Sequence, residues 1–428
     1  MMNENHSING STEFSIHNSE FIINNTPAIR FKSFDGEWEE KKLGLNAEFL
    51  KGQGYSKNDL IAEGSPIVLY GRLYTKYKTT IFEVDTFVKN NGKSIVSKGS
   101  EVIVPASGET SEDIARASAV VQSGILLGGD LNVIYPHDKI YCVFLALTIS
   151  NGKPKKDLSK RAQGKSVVHV RNADLKELEI NFPDIAEQTK IGDYFQQLDT
   201  LIAQHQQKHD KLLSLKKALL EKMFPKQGAT VPEIRFKGFS GDWEYKVLGD
   251  LSEIVRGASP RPIEDKKWFD EKSDVGWLRI KDVSEQDGRI YYLEQRISKA
   301  GEEKTRVLTE PHLLLSIAAT VGKPVINYVS TGVHDGFLIF MKPVFDREFL
   351  FQWLKGFERE WKKYGQPGSQ VNLNSEIVKR QNIAMPQDDE QIKIGNLFNQ
   401  FDALINQHQA QLKKLNNIKQ ACMVKMFV

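Results

Sequence analysis

The chain has 428 residues, 40% of them hydrophobic and 26% charged, with 58 Lys and Arg against 55 Asp and Glu for a net charge of +3. That balance fits about two to four domains with full hydrophobic cores, and it confines any nucleic-acid contact to local basic clusters. Two cysteines argue against a disulfide framework, and neither a transmembrane-length apolar run nor a signal pattern is present, so a cytoplasmic protein without membrane contact is expected.

Residues 1–26 are rich in Asn, Ser and His and carry only short apolar pairs. They read as a disordered N-terminal tail, with docking of the Phe21, Ile22 and Ile23 stretch as the alternative. The next segment, PAIRFKSFDGEWEEKKLG at 27–44, recurs as PEIRFKGFSGDWEYKVLG at 232–249, identical at 12 of 18 positions. A second segment, 183–224, recurs at 386–427 with 21 of 42 positions identical. The chain is thus a frame written twice around two blocks of about 140 residues that barely resemble one another.

The first block, about 45–182, alternates short β-rich runs such as SPIVLYG, TTIFEVD, SEVIVPAS, LNVIYP and KELEINFP with Gly, Ser and Asn. Arg72, Lys76 and Lys78 are interleaved with Tyr70, Tyr74 and Tyr77, and Lys153, Lys155, Lys156, Lys160, Arg161 and Lys165 cluster near its end. From 183 onward, Ile191, Phe195, Leu198, Ile202, His205, His209 and Leu212 follow alternating steps of four and three, the seam of a long helix that faces a partner helix.

The second block, about 250–385, has strand-like GWLRIKDV, HLLLSIAATVG, KPVINYVS and FLIFMKPV and a helical stretch from Arg347 to Lys363. Its basic residues are Arg256, Arg261, Lys266 and Lys267, then Arg359, Lys362 and Lys363 around Trp361 and Tyr364. A second seam follows in Ile394, Phe398, Phe401, Ile405, His408, Leu412 and Leu415. Both blocks are therefore α+β, and the two seams are expected to pack together as an intramolecular coiled coil. His205 and His408 read as a polar layer that fixes register rather than as metal ligands.

A shift of 203 places Lys160, Gln163, Ser166, Val168 and His169 on Lys363, Gln366, Ser369, Val371 and Asn372. Equivalent placement in divergent blocks points to a shared phosphate grip. Gln163, Gln366, Gln370 and Asn372 are candidates to read base edges, since amides pair with adenine N6 and N7. Catalytic patterns fail: GKS at Gly92 and Gly164 lacks the upstream glycine of a phosphate loop, where Phe87 and Ser159 stand instead. Glu302, Glu303 and Lys304 form only half of a nuclease signature, in a charged turn.

The repeated I-R-F-x-x-F-x-G-x-W-E-x-x-x-L-G segments, VIVPASGETSEDIA from Val102, GWLRIKDV from Gly276, SIAATVGK from Ser316 and the two E-Q-x-K-I-G-x-x-F helices resemble the specificity subunit of type I restriction-modification systems. The resemblance covers residues 27–428. It implies two target-recognition domains, 27–182 and 232–385, separated by a central long helix and linker at 183–231 and a C-terminal helix at 386–428, packed antiparallel with a pseudo-two-fold repeat. Such a chain is non-catalytic and reads a split, asymmetric site in double-stranded DNA. The resemblance also implies two modification subunits that use S-adenosylmethionine, and restriction subunits that use ATP and Mg.

On this reading the DNA-binding candidates are Arg72, Tyr74, Lys76, Lys78, Lys155, Lys156, Lys160, Arg161, Gln163, Lys165, Arg256, Arg261, Lys362, Lys363, Gln366, Ser369, Gln370 and Asn372. Glu187, Gln188 and Lys190, with Glu390, Gln391 and Lys393, are the expected exposed partner-binding faces. The competing reading is a coiled-coil scaffold that binds protein and does not recognise DNA.

Overall fold

The computed structural model describes residues 14–16, 26–92, 94–164, 166–318, 320–364 and 373–427. It divides into two units, residues 1–205 with 411–428 and residues 206–410. Each long helix, Ile185–Met223 and Asp388–Lys425, is therefore shared between units and does not form a body of its own.

In the first unit a five-stranded sheet runs in the order Ala47–Lys51, Leu131–Pro136, Glu101–Pro105, Ser118–Val120, Thr80–Ile81. In the second the order is Glu253–Arg256, Phe337–Met341, Leu313–Ser316, Pro324–Asn327, Arg289–Ile290. Taken in chain order, the strands fill the same places in both sheets: first, fifth, third, fourth, second. The first three pairings are antiparallel and the last is parallel in each. Blocks with almost no shared sequence therefore share one topology, because a ladder needs backbone pairing and apolar inward faces, not particular side chains.

A buried helix follows the fifth strand in both units, Cys142–Ile149 in the first and Arg347–Phe357 in the second. The first has all eight residues buried, so no polar face marks it in the sequence. The second ends sooner than Lys363; a 3₁₀ turn at Glu360–Tyr364 takes over beyond Gly356, a weak helix former. GWLRIKDV is a strand only over Gly276–Leu278, then a helix over Ile280–Glu285, because the Asp282 carboxylate accepts from the Arg279 backbone nitrogen at 2.8 Å and starts the turn.

The repeated segments build the frame of each unit. Glu39–Lys42 pairs antiparallel with Glu179–Phe182, and Glu244–Val247 with Asn382–Met385. Trp38 and Trp243 sink into the two cores, against Phe144 and Phe349 respectively. Each core is then closed by the tail of a long helix. Phe427 meets Phe144 and Phe195 in the first unit, and Phe224 meets Trp243, Phe349 and Phe398 in the second.

Within each unit the helix segments run antiparallel: Asp199 pairs with Lys419 in the first, and Lys216 with Asp402 in the second. Under the 203-residue repeat these pairs exchange, since Asp199 is the counterpart of Asp402 and Lys216 of Lys419. The N-terminal segment departs from expectation. Phe14–Ile16 forms a strand antiparallel to Ile29–Phe31, with Phe14 opposite Phe31 and Ile16 opposite Ile29.

Candidate nucleic-acid interface

In the first unit Tyr74 and the hairpin that carries Gln163 meet at the strand Ser107–Gly108. Tyr74 donates its hydroxyl to the Ser107 carbonyl at 2.9 Å, and burial pushes its pKa up to about 12. The Arg116 guanidinium lies 5.2 Å from the Tyr74 ring and 5.7 Å from Tyr77, and donates to the Leu73 carbonyl. Arg116 is not among the sequence candidates; only the fold puts it opposite the tyrosines. Arg72 and Lys76 both reach Asp85, whose carboxyl they hold far below the ordinary carboxylate range, Lys76 contributing most. Beside them opens a cleft of about 750 Å³ lined by Tyr55, Asn58, Tyr70, Arg72 and Asp130.

Ser107–Gly108 also pairs with Val168–His169, and Gln163 bridges to His169 through backbone bonds of 2.9 and 3.2 Å. The basic, Gln and Ser segment is thus a narrow hairpin. Gly164 makes the turn possible at φ 148°, where a Cβ would lie 1.8 Å from the Val167 carbonyl oxygen. Gln163 and His169 are exposed on it.

The helix Gly152–Arg161 leads into this hairpin. Its foot is fixed to the frame, where Lys153 bonds Glu40 at 2.9 Å and Glu179 at 3.0 Å. Pro154 and Leu158 are buried, which turns Lys155, Lys156, Lys160 and Arg161 to the surface. Lys78 is also exposed. Lys165 lies outside the described residues.

The second unit builds its site from the turn His334–Gly336. The Asp335 carboxylate accepts from Arg261 at 2.7 Å and from the Ser259 hydroxyl at 2.8 Å, while its backbone carbonyl accepts from Arg256 at 2.6 Å. Partial burial would raise this carboxyl, but Ser259, Arg261 and Arg256 outweigh it and hold it below its ordinary value. Gly257 permits the approach, since a Cβ there would fall 2.1 Å from the His334 carbonyl oxygen. Gly52 has the same role in the first unit, 2.0 Å from the Gly128 carbonyl oxygen. Trp361 packs buried against Gly322, and Lys363 bonds Glu360. Gln366, Ser369, Gln370, Asn372 and the Lys362 side chain lie outside what the structure describes.

Among the described residues no cluster of three or more His, Cys, Asp or Glu is arranged to hold a metal, and no helix is long and apolar enough to cross a membrane. In the first unit the described site is a surface of cations, tyrosines and the Gln163 amide, and in the second a surface of cations around Asp335. Residues 35–214 and 240–417 each match the type I restriction modification DNA specificity domain. The chain belongs to that family.

DNA sequence recognition through two target-recognition domains is the role of this family. The specificity subunit of the type I restriction enzyme MjaVIII of Methanocaldococcus jannaschii is 22% identical over 409 residues, covering 90% of this chain and 91% of the relative. That of MjaIX from the same organism is 28% identical over 184 residues, 41% of this chain and 42% of the relative. The crystal structure of the type I restriction-modification S subunit from M. genitalium is similar in fold, with TM-score 0.56 and 15% identity over 94% of this chain and 99% of that one.

For this specificity-family chain the partner-face expectation needs correction. Glu187 and Gln188, like Glu390 and Gln391, are buried rather than exposed. Glu187 accepts two bonds from the Arg30 guanidinium at 2.6 Å, and Glu390 two from Arg235 at 2.7 and 2.8 Å. Gln188 accepts from the Tyr141 nitrogen and donates to the Pro183 and Lys139 carbonyls; Gln391 accepts from the Asp346 nitrogen and donates to the Pro386 carbonyl. The duplicated Arg, Glu and Gln thus bind strand, helix and block into one frame. Only Lys190 and Lys393 of the expected faces are exposed, over the rings of Phe31 and Phe239.

Proposed function

We propose that this chain is the DNA-reading subunit of a type I restriction-modification complex, with each unit reading one half of a split, asymmetric site and the helix pair setting the spacer between halves. The observation that carries this reading is the pairing of one sheet topology and one frame with two different sets of loops, each bearing exposed cations and polar side chains. A constant scaffold with divergent tips suits a pair of readers that share a task and differ in target. Lys155, Lys156, Lys160 and Arg161 would grip phosphates, and Gln163 would face base edges.

The chain itself would be non-catalytic. Adenine methylation would come from two modification subunits that bring S-adenosylmethionine, docked around the surfaces of Lys190 and Lys393, and cleavage from restriction subunits that use ATP and Mg. Methylation sequencing of DNA from cells that carry this chain with its partner subunits tests the reading. The expected result is one bipartite motif that disappears when the chain is deleted; an unchanged methylation map would refute it.

A further inference from the structure

Beside the exposed lysines of each candidate site stand cations that already hold an acid. In the first unit Arg72 and Lys76 share Asp85, and in the second Arg261 bonds Asp335 at 2.7 Å. We propose that Asp85 and Asp335 are stand-ins for DNA phosphates, which neutralise Arg72, Lys76 and Arg261 until a matching duplex displaces them and so hold down binding to wrong sequences. This rests on the DNA-recognition reading above.

Three observations support it. First, each acid presents an anionic oxygen to its cation, Asp85 to Arg72 and Lys76 and Asp335 to Arg261, and a phosphate oxygen can take the same place. Second, Asp85 is 55% exposed and Asp335 35%, so an incoming phosphate can reach both, and the pairs with Lys76 and Arg261, 60% and 72% exposed, are open to solvent and exchange readily. In the first unit Arg72 is only 10% exposed, so an incoming phosphate would meet Lys76, 60% exposed, before it meets Arg72.

Third, the two acids are not copies of one another. Asp85 lies just before the strand Phe87–Val88, whereas Asp335 sits in the turn between Thr331–Val333 and Phe337–Met341. By strand position the counterpart of Asp335 in the first unit is Gly129, not Asp85. The same pairing has been reached by two routes, which a mere leftover of the repeat would not give.

The physical consequence is a selective penalty. Displacing the acid leaves a negative charge beside the duplex, and that is tolerated only when base contacts add to the phosphate contacts. The test uses the full chain assembled with its modification subunits and a random-sequence duplex of about 30 base pairs as probe, across a salt series. Asp85→Asn should tighten random-duplex binding by about fivefold or more near 0.1 M salt and steepen the salt slope by about 0.9 for each additional phosphate engaged. Binding to the mapped site should tighten less, so the specificity ratio falls.

Asp335→Asn should act likewise in the second unit, and Asp85→Asn decides the matter should the other variant disturb its loop. Asp85→Glu, which keeps the charge, should behave as wild type. Glu63→Gln removes an exposed charge that has no ion pair among the described residues and should change little. Unchanged affinity and slope in Asp85→Asn would overturn the inference, as would an equal tightening in Glu63→Gln, which would reduce it to net charge. A wild-type complex that binds no duplex at any salt would overturn the recognition reading itself.

Discussion

Gly192 and Gly395 hold the same place in the two copies of E-Q-x-K-I-G, and in each the helix presses on the residue that caps the neighbouring buried helix. A Cβ on Gly192 would lie 2.6 Å from the Tyr141 ring, and one on Gly395 would lie 2.5 Å from an Asp346 oxygen and 3.0 Å from the Phe349 nitrogen. On an open helix face Gly→Ala adds about 1 kcal/mol of stability. Overpacking against backbone reverses the sign at a cost of about 1–3 kcal/mol, so Gly395→Ala should lower the denaturant midpoint. A raised midpoint would mean that the helix stands clear of Asp346.

Asp402 makes a second residue-scale prediction. It is 7% exposed and accepts from Lys216, Arg289 and Gln352. Burial alone would raise its carboxyl, but Lys216, with Lys355 and Arg289, outweighs burial and leaves it lowered. A carboxyl depressed on folding contributes stability above its unfolded pKa of about 3.9, and loses it as the pH falls through the lower folded value. Melting temperature should therefore drop below about pH 4. Asp402→Asn should cost about 3–5 kcal/mol at neutral pH, because Lys216 and Arg289 stay buried and underpaired, and should flatten that acid decline. An identical acid limb in the variant would assign it to other groups.

At the scale of elements, the tails of the long helices close the cores. Phe427→Ala should cost about 3–5 kcal/mol, the range for a large ring lost from a packed core, and Phe224→Ala, whose ring is only partly buried, less than that. Calorimetry of both variants checks this, and a loss under about 1 kcal/mol would mean that the tail only rests on the surface. The seams that end in these rings are legible in the sequence, since a repeat of four and three survives polar substitutions on the other faces. Shared topology is not legible: strand pairing is a backbone property, and side chains in the two blocks have diverged around it. The helix Cys142–Ile149 leaves no sequence signal because burial on every side erases the period. Cations in the candidate sites are visible as clusters, but Asp85 and Asp335, 13 and 74 residues from Arg72 and Arg261, cannot be matched to them without the fold. Glu187 and Gln188 look exposed in the sequence for the same reason, their partners being distant in the chain.

For the whole molecule, the proposed spacer role predicts a change of distance without a change of target. Removing Gln204–Gln207 together with Gln407–Ala410 shortens each helix by about one turn, or 5.4 Å, equivalent to one or two base pairs at about 3.4 Å each. Methylation mapping should show a shorter unspecified gap between unaltered half-sites, or no activity. The cut shifts the seven-residue seam, so helicity and partner binding must be intact before the map is read. A well-folded variant that methylates the original spacing would transfer the ruler to the partner subunits.

The way the cores close also sets an order of events during translation. The second unit draws on one continuous stretch, residues 206–410, whereas the first needs 411–428 as well. Phe427 follows Phe195, its contact, by 232 positions. At about 5–20 residues per second the ribosome takes on the order of 10–50 s to span them. Through that interval the nascent first unit holds Trp38, Phe144 and Phe195 around an unfilled gap, while the unit encoded later already has every piece it requires. The half made first is thus the half finished last, and it is the nascent first unit that needs shelter from aggregation during synthesis.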